Sequence, residues 1–318
     1  MKIVLTGGAG FVGSHIAEAL IANPNVSKVR IVDNLSTGDI RNISPLFSNS
    51  KLEFLRADIR FYKECENAVA GMDLICHQAA IGSVPRSIDN PLYSHDNNVN
   101  GFLNIIEAGK NAGIKKVVYA SSSSVYGDSP DLPKIESKIG KPLSPYAATK
   151  YINELYAEVY SKCYGMSFTG FRYFNVFGPR QNPNGPYAAV IPLFVSAALS
   201  SKSPIINGDG TITRDYTFVK NVVKANVNAL LNEQESSVSE IFNIACGKTI
   251  TLNKLWEIIL EITGESILAT HVPQRKGDIL QSLADISKAE GKLFYSDLIQ
   301  LHEGLIETIN WYKTENRL

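Results

Sequence analysis

Tyr146 and Lys150, in the run Tyr146-Ala147-Ala148-Thr149-Lys150, stand four residues apart. On a helix that spacing puts both side chains on one face, with the ammonium near the phenol oxygen. A free phenol titrates at about 10, so a neighbouring cation is what would make Tyr146 a working base near neutrality. A second polar group comes from Ala120-Ser121-Ser122-Ser123-Ser124-Val125-Tyr126-Gly127, which closes an apolar β-branched run. Placed at a strand end, Ser122 can bridge a substrate hydroxyl and the phenol. The chemistry available to this trio is proton transfer at an alcohol.

An alcohol that loses a proton is oxidised only if something takes the hydride, and the N-terminal segment supplies a place for such an acceptor. Gly7-Gly8-Ala9-Gly10-Phe11-Val12-Gly13 follows an apolar strand and reads both as GxGxxG (Gly8, Gly10, Gly13) and as GxxGxxG (Gly7, Gly10, Gly13). Glycines there permit the tight turn and let backbone N–H groups approach a pyrophosphate at the start of the next helix, whose dipole favours the anion. Asp33, at the end of the second strand, is placed to bind both ribose hydroxyls of an adenosine half. Its charge repels a 2′-phosphate, and Asn34-Leu35-Ser36-Thr37-Gly38 offers hydroxyl and backbone groups without an arginine. The expected cofactor is NAD rather than NADP. Asp58-Ile59, closing the third strand, is placed to border the adenine, with Asp58 receiving its amino group or capping a helix.

These groups need a frame that brings strand ends together. Short β-branched runs near 2–6, 28–32, 52–56, 73–77, 115–120 and 167–172 alternate with amphipathic segments near 11–22, 60–69, 91–112 and 146–164. That alternation is the signature of βαβ units and a parallel sheet covered on both faces. Beyond Arg172 the chain loosens into Pro/Gly/Asn-rich loops with shorter helices near 190–200, 219–232, 252–262 and 298–313, and Ile241–Ala245 reads as a further strand. The fold class expected is a Rossmann-type doubly wound α/β sheet with a smaller α/β lobe. Residues 1–173, with a returning segment near 208–246, are expected to hold the cofactor, and 174–318 mainly the substrate. Lys and Arg (31) balance Asp and Glu (31), so no global field draws the 318-residue chain to nucleic acid or an anionic membrane. No apolar run approaches the roughly 18 residues of a membrane span, and the opening residues form a strand rather than a leader, so cytoplasmic residence is expected. The four cysteines and five histidines show no metal-ligand spacing, and no metal is expected. His77 and His95 are assigned no role.

With the glycine turn, DNLSTG, the serine-rich strand end and YxxxK on the page, the chain resembles the extended short-chain dehydrogenase/reductase family over nearly its whole length. Within it the resemblance is to nucleoside-diphosphate-sugar 4-epimerases, carried by RYFNVFGPRQ (172–181), AAVIPLF (188–194), INGDGTITRDY (206–216) and RKGD (275–278). The resemblance implies that Tyr146 is the base, Lys150 its pKa modulator and ribose ligand, and Ser122 the proton relay. It implies that Asn97, Phe174 and the Gln78-Ala79-Ala80 turn line the cofactor. Asn175, Val190, Asn207, Arg214 and Arg275 are implied to hold the nucleotide of the substrate, and two arginines in loops suit a diphosphate bound by an otherwise neutral protein.

Dehydratases and decarboxylases of that family carry acidic groups just after the Ser/Thr, where this chain has Ser123-Ser124 facing the sugar. The implied reaction is therefore C4 epimerisation of a UDP-hexose through a 4-keto sugar. Gln281-Ser282-Leu283-Ala284-Asp285-Ile286-Ser287-Lys288-Ala289 resembles the corresponding stretch of epimerases that prefer N-acetylated hexosamines, and Gly82-Ser83-Val84-Pro85-Arg86 is similar to the same subgroup, with Ser83 at the sugar. A serine at 282 leaves room for a 2-acetamido group that a bulky residue would fill. UDP-N-acetylglucosamine and UDP-N-acetylgalactosamine are the expected pair, with UDP-glucose/UDP-galactose or a UDP-hexuronic acid as alternatives. The family pattern also implies a homodimer paired through helices near 91–112 and 146–164.

Overall fold

The computed structural model describes residues 1–184, 187–232, 238–274 and 281–315. The first half runs β1 (Lys2–Thr6), α1 (Phe11–Ala22), β2 (Lys28–Asp33), β3 (Leu52–Arg56), α2 (Tyr62–Val69), β4 (Leu74–His77), α3 (Val84–Asp89), α4 (Pro91–His95), α5 (Gly101–Asn111), β5 (Lys116–Ser122), α6 (Pro145–Tyr164) and β6 (Ser167–Tyr173). The remainder runs β7 (Val176–Phe177), α7 (Val190–Leu199), β8 (Ile205–Asn207), β9 (Thr213–Arg214), β10 (Thr217–Phe218), α8 (Val219–Leu231), β11 (Ser239–Ile244), β12 (Ile250–Thr251), α9 (Leu252–Thr263), β13 (Thr270–Val272), α10 (Ser287–Leu293) and α11 (Leu301–Glu315).

Seven strands form one sheet in the order β11-β6-β5-β4-β1-β2-β3, and every pairing in it is parallel. This is the Rossmann-type doubly wound arrangement, with the order reversing beside β1, where such sheets open a crevice at their carboxyl ends. The central strands are apolar on both faces because both are covered: Val4, Ile75 and Val117 pack beneath α2, α5 and α6, while Ile3, Leu5 and Val118 pack beneath α1 and α8. A separate apolar cluster, including Phe194, Trp256, Leu255, Ile309 and Tyr312, ties α7, α9 and α11 together.

The segment expected as one helix over 91–112 is divided. α4 passes into a π-helical turn at Asp96–Asn100 before α5 begins. Asn98 in that turn is buried and bonds to both Ile81 N–H (2.7 Å) and Ile81 C=O (3.1 Å), and to Thr149 Oγ1 of α6 (3.2 Å). These tertiary bonds hold a wide turn that the helix would not adopt alone. Among the described residues, no helix is long and apolar enough to cross a membrane, and no group of three or more His, Cys, Asp or Glu could hold a metal ion.

Candidate active site

α1 begins at Gly10 with no side-chain cap and no acidic residue in its first turn, so its first N–H groups are left for an external anion. Of the two glycine readings, the structure takes Gly7, Gly10 and Gly13: all three line the cleft, whereas Gly8 packs against Ile31. Gly7 has φ +69°, and a Cβ on it would lie 2.6 Å from Ala79 N. The turn is fastened by Asp33, whose carboxylate accepts N–H bonds from Ala9 (3.0 Å) and Leu35 (2.8 Å). Burial pushes the Asp33 carboxyl up, and the two backbone donors pull it back.

The cleft has a volume of about 380 Å³ and gathers, from the first strand ends, Gly7, Gly10, Phe11, Val12, Gly13, Asp33, Asn34, Ser36, Thr37 and Gly38. Further along it are Ile59, the Gln78-Ala79-Ala80 turn, Asn97, Tyr146 and Lys150. An uncapped helix start, a glycine cradle and a carboxylate at the end of β2 fit a dinucleotide, and among the described residues no arginine lines the cleft to favour a 2′-phosphate.

Two expected cofactor residues, Phe174 and Asp58, lie behind the cleft wall. The Phe174 side chain is 1% exposed and packed with Tyr126, Ala245 and Ala284. Tyr173, before it, lines the cleft, its hydroxyl donating to Gln78 Oε1 (3.0 Å) and accepting from Asn226 Nδ2 (2.9 Å). Successive residues point to opposite sides as the chain leaves β6, so one aromatic faces the cleft and the next the core. Asp58, between the cleft-lining Ala57 and Ile59, has its side chain gripped by Arg60 (2.6 Å) and Asn34 (3.0 Å). Burial raises its carboxyl, but the Arg60 and Asn34 bonds outweigh that and bring it to about 2.

α6 carries Tyr146 and Lys150, the pair expected to transfer the proton. Ser144 caps it by accepting from Ala147 N–H (3.1 Å), Pro145 opens it, and Gly165 closes it in the left-handed conformation. Lys150 is 2% exposed and donates to Ala120 C=O (2.8 Å). Burial pushes its ammonium down to about 8, while the Glu154 carboxylate pulls it up. Tyr146 is half-buried at the cleft wall. Burial raises its phenol, and a hydrogen bond with Ser122 lowers it. Removing the hydroxyl from water thus opposes ionisation of the phenol more strongly than Ser122 favours it. Ser122 ends β5 and accepts from Ser124 N–H (3.2 Å) and Ser124 Oγ (2.9 Å); Ser123 begins the intervening 3-10 turn.

The residues expected at the substrate come from separate elements. Ser83, with φ +92°, caps α3 by accepting from Arg86 N–H (3.3 Å). Asn175, with φ +35°, donates to Asp215 C=O (2.9 Å). Val190 opens α7, Asn207 ends β8, and Arg214 lies in β9 with Nη1 donating to Thr213 C=O (2.9 Å). Ser282 is half-buried in an extended segment, just before Leu283, whose C=O accepts from Lys134 N–H (2.7 Å). Arg275 and Asp278 lie outside the described residues. Asp215 binds two loops: it accepts N–H bonds from Cys246 and Gly247 (both 3.0 Å) and from Ala284 (3.4 Å). Burial nevertheless raises its carboxyl to about 6.

Residues 3–245 match the model of the NAD dependent epimerase/dehydratase family. A Methanocaldococcus jannaschii relative that carries a provisional UDP-glucose 4-epimerase name is 42% identical over 318 residues, covering 99% of each chain. The solved UDP-N-acetylglucosamine 4-epimerase of Methanobrevibacter ruminantium, in complex with UDP-N-acetylmuramic acid, is 41% identical at a TM-score of 0.92, covering 99% of this chain and 98% of that one. The Thermus thermophilus UDP-glucose 4-epimerase complex with NAD is 31% identical at a TM-score of 0.89, covering 99% and 100%.

Proposed function

From the premise that the chain belongs to the NAD dependent epimerase/dehydratase family, we propose that it interconverts UDP-N-acetylglucosamine and UDP-N-acetylgalactosamine by inverting C4. The protein is an NAD-dependent enzyme of the UDP-sugar 4-epimerase type. The observation that carries the reading is Tyr146 and Lys150 on the wall of the cleft that Gly7, Gly10, Gly13 and Asp33 build.

Gly10 and Gly13 would hold the pyrophosphate of NAD, Asp33 the adenosine ribose, and Lys150 and Asn97 the other half. When bound, NAD supplies a hydride acceptor and donor for sugar C4, with a 4-keto sugar between the two transfers, and a positive ring beside the phenol. Tyr146 Oη takes the proton of the 4-hydroxyl and later returns it, with Ser122 Oγ relaying between sugar and phenol. One ammonium N–H of Lys150 is anchored on Ala120 C=O, which fixes the place of its charge at the end of β5. Residues 1–173 would serve the cofactor, with 208–246 returning to their sheet, and 174–318 mainly the sugar nucleotide, with Asn175, Val190, Asn207, Arg214 and Arg275 on the nucleotide and Ser83, Ser123 and Ser124 near the sugar.

The preference for an acetamido sugar rests on Ser282 and on likeness to the Methanobrevibacter enzyme; the provisional name of the Methanocaldococcus relative favours UDP-glucose and UDP-galactose as the second reading. Ser282→Tyr is expected to lower kcat/KM for UDP-N-acetylglucosamine by about 10–100-fold, the usual scale of a steric gate, and to change UDP-glucose by less than about threefold. Equal losses on both substrates would remove the gate.

The same family pattern leads us to propose a homodimer through the helices of 91–112 and 146–164. Exposed apolar side chains on them support it: Leu92 is 82% exposed, Val159 49% and Leu155 44%. Sedimentation velocity should give twice the mass of one chain; a single-chain mass at micromolar concentration would overturn this pairing.

A further inference from the structure

Glu154 lies one helical turn beyond Lys150 on α6, as Lys150 lies one turn beyond Tyr146, and both it and Lys150 are buried. Lys150 and Glu154 grip adjacent residues at the end of β5. The ammonium donates to Ala120 C=O (2.8 Å), and Glu154 Oε1 accepts from Ser121 Oγ (2.5 Å). The other side of Glu154 is held by Arg172 of β6, through Nε to Oε1 (3.0 Å) and Nη2 to Oε2 (2.7 Å). Arg172 is fixed in turn by donating to Glu136 C=O (3.0 Å) and by lying 4.7 Å from the centre of the Tyr126 ring.

A buried ion pair contributes little to stability that apolar side chains of the same volume would not. Here the arrangement does something an apolar pair would not: it fixes a carboxylate one helical turn from a buried ammonium, the two holding adjacent residues of β5. We propose that Glu154 is a positioning residue, clamped by Arg172, that keeps Lys150 a cation and holds the end of β5 against α6. The charged and titratable groups around Lys150 are Tyr146 and Glu154 on α6, His77 on β4 and, behind Glu154, Arg172 on β6. His77 is buried and neutral, pushed down to about 3 by burial and by the Lys150 charge. Glu154 is thus the group that favours the ammonium, against a burial cost that brings it down to about 8.

The inference rests on the proposed epimerisation only for its activity arm, and the test separates the two. In the full chain with 13Cε-labelled lysine, the Lys150 resonance, assigned by its loss in Lys150→Arg, is titrated in wild type and in Glu154→Gln. The Lys150 midpoint should fall by about one pH unit or more in the variant. With UDP-N-acetylglucosamine as substrate, the basic limb of kcat should move the same way, so that the loss at pH 8.5 exceeds the loss at pH 6 by about tenfold, the change in ammonium population per unit of pKa. If Glu154→Gln fails to fold with Arg172 unpaired, Glu154→Gln/Arg172→Met is read against Arg172→Met, so that the difference in the Lys150 midpoint is that of Glu154 alone. An unmoved Lys150 titration, or a loss by the same factor at every pH, overturns the proposal. Failure of wild type to epimerise any UDP-sugar would strike the proposed reaction and leave the titration result standing.

Discussion

Tyr146→Phe is expected to lower kcat for C4 epimerisation by about 10²–10⁴-fold, the contribution usual for a positioned proton-transfer group. The substitution removes one oxygen and keeps the ring. The hydrogen bond lost is the one to Ser122, which retains Ser124 as a partner (2.9 Å). A change in stability of about 1 kcal/mol or less follows, since a net hydrogen bond is worth about that. The glycine turn and Asp33 are untouched, so the content of bound NAD should be that of wild type. The loss should appear in kcat, measured at saturating UDP-sugar, beside an unchanged NAD absorbance. Because burial holds the phenol up in the chain alone, the base depends on positive charge close by, and loss of the phenol cannot be made up by raising the pH. A variant within threefold of wild type would place the base elsewhere.

Gly13→Ala should have the second large effect, and on binding rather than proton transfer. A Cβ there would sit 2.1 Å from Gly7 O, 2.8 Å from Gly7 C and 2.8 Å from Gly8 Cα, all backbone atoms of the turn. No side chain can move aside. Either the turn opens or α1 withdraws, and α1 is held by Ile16, Ala17 and Leu20, all 0% exposed in the core. The expected cost is about 2–4 kcal/mol of stability, with NAD affinity falling by at least about 100-fold as the N–H groups leave the pyrophosphate position. Gly291→Ala in α10, where a Cβ meets nothing within 4 Å, should be neutral or stabilising by up to about 1 kcal/mol. Calorimetric titration with NAD and thermal melts would measure both, and a Gly13→Ala variant that binds NAD normally would contradict the cradle.

Much of the frame was legible because its signals are local. The strands β1, β2, β5 and β6 lie at the places their sequence pattern indicates, and α6 occupies the segment near 146–164 expected for it. The Gly7–Gly13 turn and Asp33 were legible for the same reason, each being set by a few neighbours in sequence. What escaped depended on contacts between distant segments. Tyr173 is paired in register with Ser122 across β5 and β6, so strand pairing, more than a motif, is the signal that would have placed it at the cleft. The π-helical turn at Asp96–Asn100 was hidden because its cause is the bonding of Asn98 to residues 17 and 51 positions away; three asparagines among five residues were its only local trace. The Arg60 grip on Asp58 was missed because residue type alone does not reveal which partner a carboxylate takes. The helical spacing of Lys150 and Glu154 was readable, whereas the contact of Glu154 with Arg172 requires α6 to lie against β6.

The central claim is that this chain inverts C4 of a UDP-sugar with the oxidant retained between turnovers. Purified protein should be incubated with UDP-N-acetylglucosamine, UDP-glucose and UDP-glucuronic acid separately, without added nicotinamide nucleotide, and the products separated as C4 epimers. The account predicts conversion of UDP-N-acetylglucosamine to a stable mixture with UDP-N-acetylgalactosamine, over many turnovers and without build-up of reduced nicotinamide. Accumulation of a 4-keto product, or return of all three sugars unchanged from protein that holds NAD, would contradict it.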